Sequence, residues 1–304
     1  VAAISQPSNA DAAVRPPRGD GRRRVFWFLV LPPTVALLLL VVVPVLLMAA
    51  FSFRPDLNGN LLGAFAATLK NYESIARAGV YVQLLLTSMA MAAIIAIVGT
   101  LLAYPVAYFL AFRAGRHAAA YLLLLLLPFW TSYLLRVMAW KLMLGEEGVI
   151  NSVLLSLGTI TEPLSALLYN KGAVVVTLIY VWIPFAALPI LAAMQRIDPA
   201  LFDAGADLYA RPFEQLRRIV LPLSLPGIVA AFFLVFIPTV GEYVTPLLVG
   251  GTSGTMYGNA IQDFFTKAAN WPVGSALSVI MLVVTLVFAG LALRTINLRR
   301  VLPT

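Results

Sequence analysis

The chain has 304 residues, of which 61% are hydrophobic and only 11% charged, and its mean hydropathy is +0.93. A soluble domain carries about 25% charged residues, and this much apolar surface facing water would drive association; the composition argues against both an ordinary soluble enzyme and a disordered chain, which needs low hydrophobicity. There is no Cys and one His, His117, so disulfides and thiolate chemistry are excluded and no His cluster is available for zinc or a catalytic triad. Residues 1–20 are rich in Ala, Pro and Ser and are expected to be disordered. Beyond them, long stretches carry no charge: Arg24 to Arg54, Arg77 to Arg113, Arg116 to Arg136, Lys171 to Arg196, Arg218 to Glu242 and Lys267 to Arg294. A membrane helix needs about 20 apolar residues to cross about 30 Å of hydrocarbon. Six spans are therefore predicted, at 26–51, 82–110, 119–143, 172–194, 221–248 and 274–296. They read as helices rather than barrel strands, because runs such as Leu122 to Leu127 lack the alternation of a barrel strand, and a helix satisfies its own backbone in lipid. Arg22 to Arg24 before the first apolar run could open a signal peptide. The run is long, contains Pro32, Pro33 and Pro44 and lacks a clear small-residue cleavage site, which favours a retained anchor. No short internal repeat is visible.

Orientation follows from the basic residues. Arg15, Arg18, Arg22, Arg23, Arg24, Arg113, Arg116, Arg196, Arg211, Arg217, Arg218, Arg294, Arg299 and Arg300 fall on one side. Arg54, Lys70, Arg77, Lys171 and Lys267 fall on the other. The positive-inside rule then puts both termini in the cytoplasm. The net charge of +8 is accounted for in this way, and a nucleic-acid partner is not expected, because the basic residues border spans.

The connection between spans 4 and 5, residues 196–222, reads as two short helices with a turn. Asp198 stands at a cap position and Pro199 at the first helical position. Leu201, Phe202, Gly205 and Leu208 recur at a helical period and make a compact apolar face. Tyr209-Ala-Arg-Pro212 breaks this helix, and Pro212 can start a second one carrying Phe213, Leu216 and Ile219, with Pro222 marking entry into span 5. Such a pair suits docking into a partner's groove or lying on lipid headgroups, and periodicity does not separate the two.

The residues of this segment resemble the EAA loop of ABC-importer permeases, Glu-Ala-Ala, three residues, Gly, then nine residues and Ile-x-Leu-Pro. Asp203-Ala204-Gly205 stands for Glu-Ala-Ala, Ile219-Val220-Leu221-Pro222 matches the end, and Tyr209 occupies the family's Gly position. A Tyr reaches the left-handed conformation only at a cost. Further stretches resemble the spermidine/putrescine-type branch: Leu127-Pro-Phe-Trp-Thr-Ser-Tyr-Leu-Leu-Arg136, Val181-Trp-Ile-Pro-Phe185, Gly241-Glu-Tyr-Val-Thr-Pro246, Gly258-Asn259 and Asn270-Trp-Pro-Val-Gly-Ser-Ala276. The likeness runs from about Tyr81 to Leu293.

The resemblance implies an all-α membrane protein with the type I ABC importer permease fold and a coupling-helix loop between spans 4 and 5. Together with the predicted spans, it divides the chain into a cytoplasmic, disordered basic tail at 1–25, a first span and outer loop at 26–80, a permease core at 81–298 and a cytoplasmic tail at 299–304. The implied function is passage of a small organic solute, a polyamine above all, across the bacterial inner membrane, with amino acids or other small solutes as the alternative and a secondary transporter as a more distant one. The implied partners are two ATPase subunits, a second permease, an extracytoplasmic solute-binding protein and the bilayer. The chain itself would be non-catalytic, with no metal or cofactor of its own; ATP and Mg would sit on the ATPase. It lacks a Gly-x-x-x-x-Gly-Lys-Ser/Thr phosphate loop, which fits that division. Leu201, Phe202, Asp203, Ala204, Gly205, Tyr209, Ala210, Pro212 and Phe213 are the residues expected to couple to the ATPase.

Candidate pathway residues are Trp130, Tyr133, Arg136, Glu242, Tyr243 and Asp263. An ionisable group in a span is expensive and faces a cavity or a partner. Glu242 is accordingly read either as attracting a cationic solute or as pairing with Arg136 or Lys141, and Pro238, Gly241 and Pro246 interrupt its span as in cavity-lining broken helices. Arg136 is read as a structural pair or gate contact. Trp130, Tyr133 and Trp140 either line the path by cation–π contact or anchor the span at the interface. Asp263 either meets the binding protein or a leaving cation, or pairs with Lys267 at i+4. Glu146, Glu147 and Glu162 give the outer 3–4 connection an acidic bias, and His117 is expected at the surface. An intramembrane protease would need buried Ser or Asp partners that are missing, and a secondary transporter commonly needs several in-span acids, where only Glu242 qualifies plainly.

Overall fold

The computed structural model describes residues 20–55 and 67–295. The disorder expected for residues 1–20 falls, up to residue 19, outside the described residues, as do the tail at 299–304 and most of the outer loop after span 1. Two units divide after Met48. The first holds most of α1 (Asp20–Ser52), which begins inside the segment assigned to the tail and carries Pro32, Pro33 and Pro44 in its interior. Its large apolar side chains are exposed on every side, Leu37 to Leu40 among them, as a helix that is apolar all round requires of its surroundings.

The second unit is built on three long helices, α3 (Val80–Phe112), α7 (Lys171–Met194) and α10 (Leu221–Val240), which pack against one another. A short helix, α2 (Lys70–Ala78), precedes α3. Ala92, Ala96, Gly99, Ala103 and Ala107 repeat along one buried stripe of α3, facing Ala186, Ala187 and Ile190 of α7 and Gly227, Ala231 and Val235 of α10 within a single core. Small residues let backbones approach where lipid removes the usual hydrophobic drive between helices. The approach is close at Gly227, where an added Cβ would lie 2.6 Å from the Ala193 Cβ and 2.6 Å from the Pro189 carbonyl oxygen. Gly227→Ala is therefore expected to force α7 and α10 apart at a cost of about 1–3 kcal/mol, read as a lower melting temperature of the purified protein.

The third predicted span is not one helix. It consists of α4 (Ala118–Leu126), a 3-10 turn at Leu127–Trp130 and α5 (Tyr133–Leu144), with α6 (Val149–Ser156) following beyond it, and the stretch Gly115–Trp130 is bent by 86° from Tyr133–Ser156. Pro128 has no N–H for the helical ladder. Thr131 and Ser132 are extended, with ψ of 152° and 139°, and the Thr131 hydroxyl and N–H both donate to the Pro128 carbonyl. The described residues hold five helices long and apolar enough to cross a membrane, or six if this bent pair counts as one span.

Two further departures concern span 5. The second short helix of the 4–5 connection, α9 (Pro212–Gln215), is not separate from the span: a π turn at Leu216–Val220 joins it to α10, and Pro212–Val240 runs as one membrane-length helix. Pro222 would clash with the carbonyl four residues back in a regular helix, and the wider π turn just before it relieves that crowding. At the other end α10 stops at Val240 instead of continuing to 248. A second π turn follows at Pro246–Gly250, then α11 (Tyr257–Thr266) and α12 (Trp271–Thr295). Ile75, Leu85, Tyr257, Ala276 and Leu277 tie α2, α3, α11 and α12 into a second core.

Candidate functional site

The elbow between α7 and α10 contains α8 (Ala200–Asp207). Asp198 starts it, its Oδ1 accepting the Ala200 N–H at 2.9 Å. The Tyr209 N–H donates to the Ala206 carbonyl at 2.9 Å and the Ala210 N–H to the Gly205 carbonyl at 3.0 Å, the pair of bonds that ends a helix in a Schellman motif. The motif needs a left-handed residue at Tyr209, and Tyr209 has φ +57°, at a cost of about 1–2 kcal/mol for an L-residue with a side chain. After the turn the Arg211 N–H donates to the Glu214 carboxylate at 3.1 Å, and the Gln215 side chain donates to the Phe202 carbonyl at 3.3 Å, fastening the two limbs together.

The apolar face expected on α8 divides. Phe202 packs edge-on against Phe112 of α3, and Gly205 is buried under Ile219 and Gln215. Leu201, Leu208, Tyr209 and Phe213 point outward, with Leu208 at 82%, Tyr209 at 93% and Phe213 at 71% exposure. Asp203, Ala204 and Pro212 are exposed and Ala210 half-buried. The tip thus presents apolar side chains that no described residue covers.

The second cluster surrounds the end of α10. Glu242 caps the turn that follows: its Oε1 accepts the N–H groups of Val244 at 2.9 Å and Thr245 at 3.2 Å. The Tyr133 hydroxyl, from α5, shares a hydrogen bond of 2.6 Å with the Thr245 hydroxyl and lies in the electrostatic reach of both Glu242 and Arg136. No ion pair joins Glu242 to Arg136 or Lys141 among the described residues. The Arg136 guanidinium instead stacks over the Phe129 ring at 4.3 Å, its Nε buried without a hydrogen-bond partner, and Lys141 lies over Tyr169 at 5.7 Å. An arginine at the centre of a span costs about 2.5–3.5 kcal/mol on insertion scales, and a cation–π contact gives back about 0.5–2 kcal/mol.

The other candidates are dispersed. Trp130 is 84% exposed and Tyr243 42%, Trp140 packs against Tyr180, and Asp263 pairs with Lys267 at 2.8 Å as an i+4 helical pair. His117 is exposed.

Sequence reasoning assigned no role to the residues that hold Glu242 in place. Gly258 has no Cβ, and one placed there would lie 2.5 Å from the Gly241 carbonyl oxygen and 2.7 Å from that of Glu242. Asn259, which is buried, donates to the Tyr243 carbonyl at 2.8 Å and accepts from the Met256 N–H at 3.0 Å. Ser88 of α3 accepts the Tyr257 N–H at 2.7 Å. The start of α11 is thereby pressed onto the backbone that carries Glu242. The Gly258-Asn259 pair ahead of a helical run was the available signal. Asn259→Leu removes both bonds and leaves a buried carbonyl and N–H unpaired, an expected loss of about 2–3 kcal/mol; Asn259→Asp, which keeps the acceptor, is expected to lose less. Thermal melting of the two variants side by side checks this.

Over residues 59–302 the chain matches the family model described as "Binding-protein-dependent transport system inner membrane component". It is 35% identical over 236 residues to the spermidine/putrescine transport system permease protein PotB of Haemophilus influenzae, covering 78% of this chain and 82% of that protein. It is 31% identical over 240 residues to the inner membrane ABC transporter permease protein YdcU of Escherichia coli, covering 75% of each. Among solved structures it is similar to a chain of the bacterial alginate ABC transporter in complex with alginate pentasaccharide-bound periplasmic protein, with a TM-score of 0.74 at 16% identity, covering 92% of this chain and 96% of that one. It is also similar to a chain of the inward-facing MetNI methionine ABC transporter, with a TM-score of 0.55 at 18% identity, covering 73% and 96%. At these identities the structural likeness speaks for the fold.

Proposed function

The chain belongs to the family of binding-protein-dependent transport system inner membrane components, and from that premise we propose that it carries a polyamine of the spermidine/putrescine class inward through a path bordered by Glu242 and Tyr133. It is a multi-pass inner-membrane protein with the type I permease fold, a transport subunit of an ABC importer. The observation that supports the solute class is the 35% identity to a spermidine/putrescine permease over 78% of the chain. A carboxylate in an otherwise uncharged break in the helix fits a cationic solute.

In this reading the chain does no chemistry of its own. ATP and Mg sit on two separate ATPase subunits, a second permease completes the path, and an extracytoplasmic binding protein delivers the solute. Both termini lie in the cytoplasm, on the side with the excess of arginine. The elbow meets the ATPase through Leu201, Leu208, Tyr209 and Phe213, with Asp203, Ala204 and Pro212 at its margin. Phe202, Gly205 and Ala210 hold its shape. Because Gln215 ties α8 to a helix that runs unbroken from Pro212 to Val240, a push on the elbow moves a rigid rod whose far end adjoins Glu242. Such an element, with two packed positions, converts closure of the ATPase pair into opening of the path.

Titration calorimetry on the cognate binding protein tests the solute class. Saturable heats with spermidine or putrescine and none with amino acids are expected; binding of amino acids alone would overturn the assignment.

A further inference from the structure

Arg136 lies on the far limb of the bent third span from Phe129, and its guanidinium reaches back across the extended Thr131–Ser132 pair to the ring. It is 4.3 Å from the Phe129 centroid and 5.9 Å from that of Tyr133. Among the described residues no carboxylate pairs with it and its Nε has no acceptor, so the aromatic faces are what retain it. A charge held by aromatic faces is replaceable by another cation, because the attraction is to the rings' quadrupoles and not to a fixed set of hydrogen bonds. The Phe129 ring is continuous with further aromatic surface. It meets Phe185 of α7 edge-on at 4.3 Å, and Phe185 meets Trp182 at 5.7 Å. Trp182, Phe185, Phe233, Ile237 and Pro238 line an open groove of about 550 Å³, and Pro238 lies four residues before Glu242 in the chain.

We propose that the face of the Phe129 ring is a subsite for an ammonium group of the transported solute, and that Arg136 is its resident occupant when no solute is present. The proposal rests on the reading of the solute as a polyamine. An arriving ammonium takes over the ring face while Glu242 lies within the same cluster to receive a second positive charge. Displaced from Phe129, Arg136 no longer ties the two limbs of the bend, so filling the subsite releases the third span.

The test places 4-fluorophenylalanine at position 129 of the assembled transporter in lipid nanodiscs and follows its fluorine resonance during titration with putrescine, using 1,4-butanediol as a neutral control of equal length. A saturable shift with putrescine and none with butanediol is expected. In Arg136→Gln, with no resident cation to displace, the midpoint is expected to fall at least about threefold. Arg136→Lys, which stacks less well than Arg, is expected between the two and carries the comparison if Arg136→Gln fails to assemble. A native protein without a saturable shift, or a midpoint unchanged in the assembled variants, overturns the proposal. A wrong solute class shows itself separately, as a binding protein that takes up no polyamine heat while the ring still answers to ammonium.

Discussion

Tyr209→Gly is expected to make the chain more stable and the transporter less active. Gly enters the left-handed region without the Cβ clash, which removes about 1–2 kcal/mol of backbone strain, partly offset by the greater freedom of Gly in the unfolded chain, about 0.5–1 kcal/mol. Within the chain nothing is lost, since the Tyr209 side chain is 93% exposed. What disappears is an aromatic side chain at the tip of the elbow, beside Leu208 and Phe213. Aromatic anchors at the centre of an interface contribute about 2 kcal/mol or more, so ATPase affinity and solute-coupled ATP hydrolysis are expected to fall by about 30-fold. Tyr209→Asn tolerates the same backbone conformation and is expected to share the functional loss. Melting temperature and coupled hydrolysis, measured on one preparation, move in opposite directions if Tyr209 is a docking contact. A Gly variant that is both more stable and equally coupled would show that the side chain touches nothing.

Glu242 permits the separation of two roles that lie on one side chain. Its Oε1 accepts two backbone N–H groups, and Gln offers the same acceptor without the charge. Glu242→Gln is therefore expected to leave thermal stability within about 1 kcal/mol, whereas Glu242→Ala loses the cap and about 0.5–2 kcal/mol. Both variants lose the attraction for a cation, about 4 kcal/mol for unit charges 4 Å apart at an effective dielectric of 20. Putrescine uptake is expected to drop at least about tenfold in each. Uptake by Glu242→Gln at the native rate would reduce Glu242 to a helix cap.

Much of the framework is legible because it is dictated by solvation. Charges cannot easily enter hydrocarbon, so their spacing marks where α1, α3, α7, α10 and α12 run. The same reasoning is blind to direction: Leu122 to Leu127 is apolar whether or not the helix turns afterwards, and the 86° bend comes from Pro128 and the extended Thr131–Ser132 pair. The start of α8 follows from the local chemistry of Asp198 and Pro199, whereas the strain at Tyr209 follows from the resemblance, which sets a Tyr where the family has Gly. The continuity of α9 with α10 does not, because Pro222 signals a helix boundary unless a π turn makes room for it.

Partners distant in sequence were the hardest to read. Pairing Glu242 with Arg136 or Lys141 is reasonable from charge alone, yet the backbone N–H groups two and three residues onward are nearer, and both cations rest on aromatic rings instead. The roles of Asn259 and Ser88 depend on contacts across 16 and 169 residues of chain, which no periodicity encodes. Asp263 and Lys267, by contrast, are close on one helix, and the i+4 alternative is the geometry found.

Reconstitution into proteoliposomes addresses the division of labour most directly. With the second permease, the binding protein, the ATPase subunits and ATP present, polyamine should accumulate against its gradient, and omission of the ATPase should abolish accumulation. Accumulation driven by this chain with no ATPase in the vesicle would contradict the account.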